Sequence, residues 1–170
     1  MKRGIITGIS VIILMLIVGY LVYSFYFSTG VVNVYIKDPP SSSSNVTLIY
    51  LTISSVMLHK VSSYGNGSWI TVSNKTITVR LSSNMTFLTS AKIPKGSYNE
   101  VFLMISSATV QIGGVNVTAR IPSGVFKIHI INGMTINGGS TANLLISFPQ
   151  VTYANGQLLI SPSITAQVIS

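Results

Sequence analysis

Hydrophobic positions along this chain change their rhythm once. Over residues 4–27 they run almost without interruption and without a charged side chain, whereas beyond residue 30 they alternate with polar ones and are punctuated by turn residues. An uninterrupted apolar run of this length predicts a helix, since about twenty such residues at about 1.5 Å each cross a hydrocarbon core of about 30 Å. Alternation predicts strands, whose successive side chains point to opposite faces.

The first strand is expected over residues 31–37. It is closed by Asp38-Pro39-Pro40 and the serine run 41–44, because proline removes ladder donors and a serine tract has nothing to bury. Residues 46–59 form a long strand or a bent pair, apolar on both faces near its start. Four glycine-centred turns mark hairpin candidates: Gly65-Asn66-Gly67, Gly113-Gly114, Asn132-Gly133 and Asn155-Gly156. Asn-Gly and Gly-Gly supply the positive φ angles that two-residue hairpins demand. Further strands are expected over residues 69–72, 77–81, 87–93, 98–105, 110–112, 115–117, 126–131, 134–136, 142–148, 151–153, 158–160 and 164–169. The predicted fold class is all-β: an antiparallel immunoglobulin-like β-sandwich over residues 30–170, preceded by one N-terminal transmembrane or signal helix in residues 1–29.

Lys2 and Arg3 precede the apolar run, and Tyr20, Tyr23, Phe25, Tyr26 and Phe27 close it. Cations on the near side and aromatics at the far headgroup boundary put the N-terminus inside and the body outside. The run exceeds the core of a cleavable signal and lacks an Ala-x-Ala ending, which fits a retained anchor. Ser28-Thr29-Gly30 offers small residues for cleavage before Val31, and Lys2-Arg3-Gly4 ahead of an apolar helix resembles an archaeal type IV prepilin leader. All three fates stay open.

Composition narrows the chemistry. Of 170 residues, 48% are hydrophobic and 7% charged, with Ser, Thr and Asn carrying the polarity. Asp38 and Glu100 are the only acidic side chains, too few for a carboxylate cage around calcium or magnesium, and a glycosidase pair would need both. No cysteine is present, so disulfides, thiolate metal sites and cysteine nucleophiles are excluded. His59 and His129 lack further ligands for a metal site, and no Gly-x-Ser-x-Gly elbow occurs. No cofactor, no metal and no enzymatic activity are therefore expected. The net charge is +8; of the ten cations, Lys2 and Arg3 precede the apolar run and the other eight are scattered singly over the body, unlike the stripe of a nucleic-acid binder.

Five Asn-x-Ser/Thr sequons, at Asn45, Asn66, Asn74, Asn84 and Asn116, all lie beyond the apolar run. They fit N-glycosylation of an exterior body, against the plainer reading that some are turn asparagines. Trp69 with the nearby Tyr64 offers a platform on which sugars could stack, against the plainer reading of a core tryptophan.

Several motifs carry a family likeness. They are Gly30-Val31-Val32-Asn33-Val34-Tyr35-Ile36-Lys37-Asp38-Pro39-Pro40, Val56-Met57-Leu58-His59, Ser68-Trp69-Ile70, Ile93-Pro94-Lys95-Gly96-Ser97-Tyr98 and Ile121-Pro122-Ser123-Gly124. In these the chain resembles, over nearly all of residues 30–165, a domain-of-unknown-function family of secreted and membrane-anchored archaeal and bacterial proteins. The resemblance implies an immunoglobulin- or transthyretin-like sandwich of carbohydrate-binding type. Acidic positions common in that family's later strands are apolar or polar here, as over residues 145–148. More narrowly, the chain is similar to subunits of archaeal surface threads and bundling pili. That likeness implies head-to-tail assembly with copies of itself, an N-terminal strand of one subunit completing the sheet of the next. Val31, Val32, Val34 and Ile36 would form the donor strand, within residues 30–38, ahead of a Pro/Ser hinge at 39–44. The expected function is a glycosylated, non-enzymatic cell-surface structural protein, a subunit of an extracellular filament assembled by strand addition, with a membrane-held glycan-binding module as the alternative. Expected partners are copies of itself, surface polysaccharide and, if the leader is retained, the membrane through residues 4–27, with no nucleic acid.

Overall fold

The computed structural model describes residues 2–37, 46–63, 65–121, 123–148, 151–160 and 163–170. Among the described residues, one helix, α1 (Lys2–Tyr26), leads into twelve strands: β1 (Thr29–Lys37), β2 (Val46–Ser62), β3 (Gly65–Ser73), β4 (Ile77–Arg80), β5 (Thr86–Pro94), β6 (Gly96–Ile112), β7 (Val115–Ala119), β8 (Val125–Ile136), β9 (Thr141–Ser147), β10 (Val151–Ala154), β11 (Gln157–Ile160) and β12 (Thr165–Ile169). Among the described residues, ten strands form one sheet in the order β3-β2-β6-β8-β12-β9-β1-β5, with β4 beside β2 and β7 beside β6; β10 and β11 form a separate ribbon. The sheet rolls until β3 and β4 pack beside β5, giving a barrel-like body. Its interior is lined by one cluster that includes Val34, Leu51, Leu58, Leu103, Ile130, Leu144 and Phe148.

This departs from the expected antiparallel immunoglobulin-like sandwich in two ways. The sheet is mixed, because β1 runs parallel to β9 and β12 parallel to β8. The two halves are also continuous. β8 pairs with β6 at residues 125–129 and 134–136, and with β12 at Ile130 and Ile131, so it serves both.

The expected Asn132-Gly133 hairpin does not form. Both residues take positive φ, 60° and 66°, as such a turn demands, yet β8 continues through them. Register passes from Glu100↔His129 to Tyr98↔Met134, so the pair makes a bulge where β8 passes between partners. The Gly113-Gly114 and Asn155-Gly156 turns do join neighbouring antiparallel strands, β6 to β7 and β10 to β11. Gly65-Asn66-Gly67 opens β3, which pairs back on β2.

The two longest strands, β2 and β6, bend together. In β2 the buried positions run Ile49, Leu51, Ile53 and then Val56, Leu58; in β6 they run Val101, Leu103, Ile105 and then Ala108, Val110. Each series skips one residue at a serine pair, Ser54-Ser55 and Ser106-Ser107, and the ladder shifts register there. The hydroxyls satisfy carbonyls at the bend, with Ser106 Oγ donating to Thr52 O at 3.1 Å and Ser54 Oγ to Met104 O at 3.4 Å.

Counting only described residues, no helix is long and apolar enough to cross a membrane. The side chains of α1 are described over residues 8–24, and all of them are exposed. Ile12, Ile13, Leu14 and Met15 point in four directions around the axis, and their exposures are 60%, 51%, 62% and 70%.

Candidate functional site

Three features of the chain were expected to carry function: the first strand, the sequons and Trp69. Strand β1 lies inside its own body, antiparallel to β5 and parallel to β9. Val32, Val34 and Ile36 point inward and are 0%, 0% and 1% exposed, while Val31 is half-buried on the other side. The outer side of β1 carries a polar ladder. Asn33 Nδ2 donates to Asn143 Oδ1 at 2.9 Å, and Ser90 Oγ donates to Asn33 Oδ1 at 2.8 Å. The hinge at 39–44 lies outside the described residues.

Of the sequon asparagines, Asn45 lies outside the described residues, and Asn66, Asn74, Asn84 and Asn116 are exposed. Strand direction sorts them. β1 starts, β5 ends, β6 starts and β8 ends at the level where α1 enters the body. Asn66, at the start of β3, lies at this same end, since Lys60 pairs with both Ser68 and Tyr98. Asn84, just before β5, and Asn116, after the β6–β7 turn, lie at the opposite end.

Trp69 is half-buried on the outer face of the sheet rather than in the core. Cross-strand register puts it in a row with His59 of β2, Glu100 of β6 and His129 of β8. The Trp69 ring meets that of His59 at 5.0 Å and that of Phe102, edge-on, at 5.9 Å. His59 Nδ1 lies 2.7 Å from Asn99 Oδ1, and because an amide oxygen can only accept, Nδ1 must donate. Nε2 is directed at Gly67, where an added Cβ would come within 2.6 Å of it and 2.2 Å of Lys60 O. Glycine at position 67 thus lets the hairpin close over the imidazole. Together these residues form an aromatic ledge flanked by an amide, a carboxylate and a second imidazole, groups that can stack and hydrogen-bond. Tyr64 lies outside the described residues. Phe102 and Asn99 were not expected here. The signal lay in the outward alternation of Met57 and His59 against Glu100 and Phe102, legible only once β2 is known to pair with β6. Among the described residues, no group of three His, Cys, Asp or Glu side chains is placed to hold a metal ion.

The joint between helix and body is tight. β1 begins three residues beyond the end of α1, and Ser28 O accepts from Lys95 N at 2.9 Å while Thr29 O accepts from Gly139 N at 2.8 Å. A Cβ added to Gly138 would lie 2.1 Å from Phe27 O, so the β8–β9 turn packs flush against the connection.

The model of a family described as "Domain of unknown function (DUF4382)" matches residues 29–162. Among curated proteins, no sequence matches. A crystal structure of a "putative cell adhesion protein" from Bacteroides eggerthii is similar at 14% identity and a TM-score of 0.42, covering 83% of this chain and 54% of that one. This chain therefore spans about half the length of that protein.

Proposed function

The chain belongs to the DUF4382 family of domains of unknown function, and we propose that it is a non-enzymatic, glycosylated cell-surface protein whose body is held outside the membrane by α1. The observation that carries this is the helix built on the whole uncharged apolar run of the sequence, residues 4–27; over its described residues alone α1 is not long and apolar enough to cross a membrane. It runs 25 residues, exposes apolar side chains on every described side and is joined to the body by a short, hydrogen-bonded connection. A helix that is hydrophobic all round finds its place in lipid or in a large core, and this body offers it no core. Exposed sequons and a polarity carried by hydroxyls and amides support the exterior address. Mass spectrometry of the mature protein tests the reading: an intact N-terminus with hexose-bearing Asn84 or Asn116 peptides is expected, and a sugar-free chain from cytosol refutes it.

Assembly with copies of itself is the finer form of this reading. In it, β1 leaves its slot and the same strand from a neighbour makes the same contacts with β5 and β9. Filaments that persist after deletion of residues 31–38 would end that proposal.

A second reading is favoured by the outward placement of Trp69: the ledge on β3, β2 and β6 holds surface polysaccharide. Retention on polysaccharide gel that disappears in Trp69→Ala supports it, and retention unchanged by that substitution rules the ledge out.

A further inference from the structure

The end of the body from which α1 leaves carries three lysines. Lys95 sits just past the strand end, its backbone N–H bound to Ser28 O; Lys92 pairs with Val31, and Lys60 pairs with Tyr98. The Lys60 chain lies over Gly96, its Cε 2.6 Å from where a Cβ would sit, so glycine there leaves room for the stem to pass along the rim. Lys92 and Lys95 are exposed. At about 3.3 Å per residue, all three lie within about 10 Å of the helix exit along the strand direction. The sole acidic side chain among the described residues, Glu100, sits further along β6 in the row with His59 and His129.

The joint gives this cluster a fixed height. Because Ser28 of the two-residue connection and Thr29, the first residue of β1, accept hydrogen bonds from the Lys95 and Gly139 N–H groups, the body has little slack with which to lift away from the helix end. If α1 spans a bilayer up to the aromatics at its end, Tyr23 and, just beyond the helix, Phe27, whose rings meet at 4.7 Å, then the rim lies in the headgroup layer. That layer adds roughly 5–8 Å on each side of the hydrocarbon, a depth that flexible lysine stems reach easily.

We propose that the helix-exit rim formed by Lys60, Lys92 and Lys95 is a contact surface for the phosphates of anionic lipid headgroups, which sets the body upright on the membrane. The proposal rests on the anchor reading of α1. It assigns these cations a role that the ones remote from the exit, Lys75 and Lys127, do not share.

The test uses the full chain in lipid nanodiscs of phosphatidylcholine, with or without phosphatidylglycerol, labelled with a water-soluble amine reagent and mapped by mass spectrometry. Labelling of Lys92 and Lys95 is expected to fall about fivefold in the anionic discs, as for lysines held near an anionic surface. Lys75 and Lys127 should stay unchanged, and high salt should restore the rim's reactivity. Equal labelling of all four lysines in both discs, with the chain still disc-bound, overturns the rim proposal and leaves the anchor intact. A chain that separates from the discs overturns both.

Discussion

Replacing Val34 by alanine probes whether β1 belongs to its own body. Val34 is fully buried, pairing with Leu144 on one side and Thr89 on the other. The substitution removes two methyl groups from a packed interior, each of the kind that costs about 0.5–1.5 kcal/mol, so the total is about 1–3 kcal/mol. For a body of this size that corresponds to a fall in Tm of about 2–12 °C. Val31→Ala, on the opposite side of the same strand and half-buried, should cost clearly less. Thermal unfolding of both variants, monitored by circular dichroism at two protein concentrations a hundredfold apart, reads the result. A large effect at position 34, a small one at 31, and midpoints independent of concentration are expected for a strand inserted in its own chain. Equal effects would refute the inward phase of β1. Midpoints that rise with concentration would show the slot filled by a neighbour, because mass action then enters stability.

The same geometry sets other outcomes. Tyr98 is buried and its hydroxyl donates to Pro94 O at 2.5 Å; burial pushes its phenol above the ordinary value. Its contribution to stability is therefore complete below the unfolded value of about 10 and lost as pH rises through the higher folded one. Tyr98→Phe should lower stability by about 1 kcal/mol at neutral pH and flatten the alkaline limb, as measured by urea midpoints across pH. Gly138→Ala sets a methyl against Phe27 O and should cost about 1–3 kcal/mol by overpacking, read as a lower Tm and as faster proteolysis at the helix joint. Glycopeptide mapping should find sugar on Asn84 and Asn116, at the end remote from the helix, and a bare Asn66 at the lipid-facing end; the reverse distribution would contradict the orientation.

The parts of this fold legible in the sequence are those decided locally. The helix is written in an unbroken apolar run, and the Gly113-Gly114 and Asn155-Gly156 turns in residues that accept positive φ. Asn132-Gly133 carries the same local signal and has the same backbone angles, yet makes a bulge, because residues 134–136 pair again with β6 instead of turning back. Long-range pairing decided that, and no dipeptide reports it. The parallel neighbours of β1 and β12 were hidden for the same reason, since alternation reads alike in either direction. The serine pairs that bend β2 and β6 were visible as letters, but only their meeting across the ladder gives them meaning. For the candidate site, Trp69 could be named while its face could not, because its outward orientation is set by the phase of β3 against β2.

Whether α1 keeps the body on a membrane is tested most directly by alkaline carbonate extraction of membranes from cells making the full chain. The protein is predicted to stay in the pellet with integral lipid-spanning proteins; its release into the supernatant at full length would contradict the anchor.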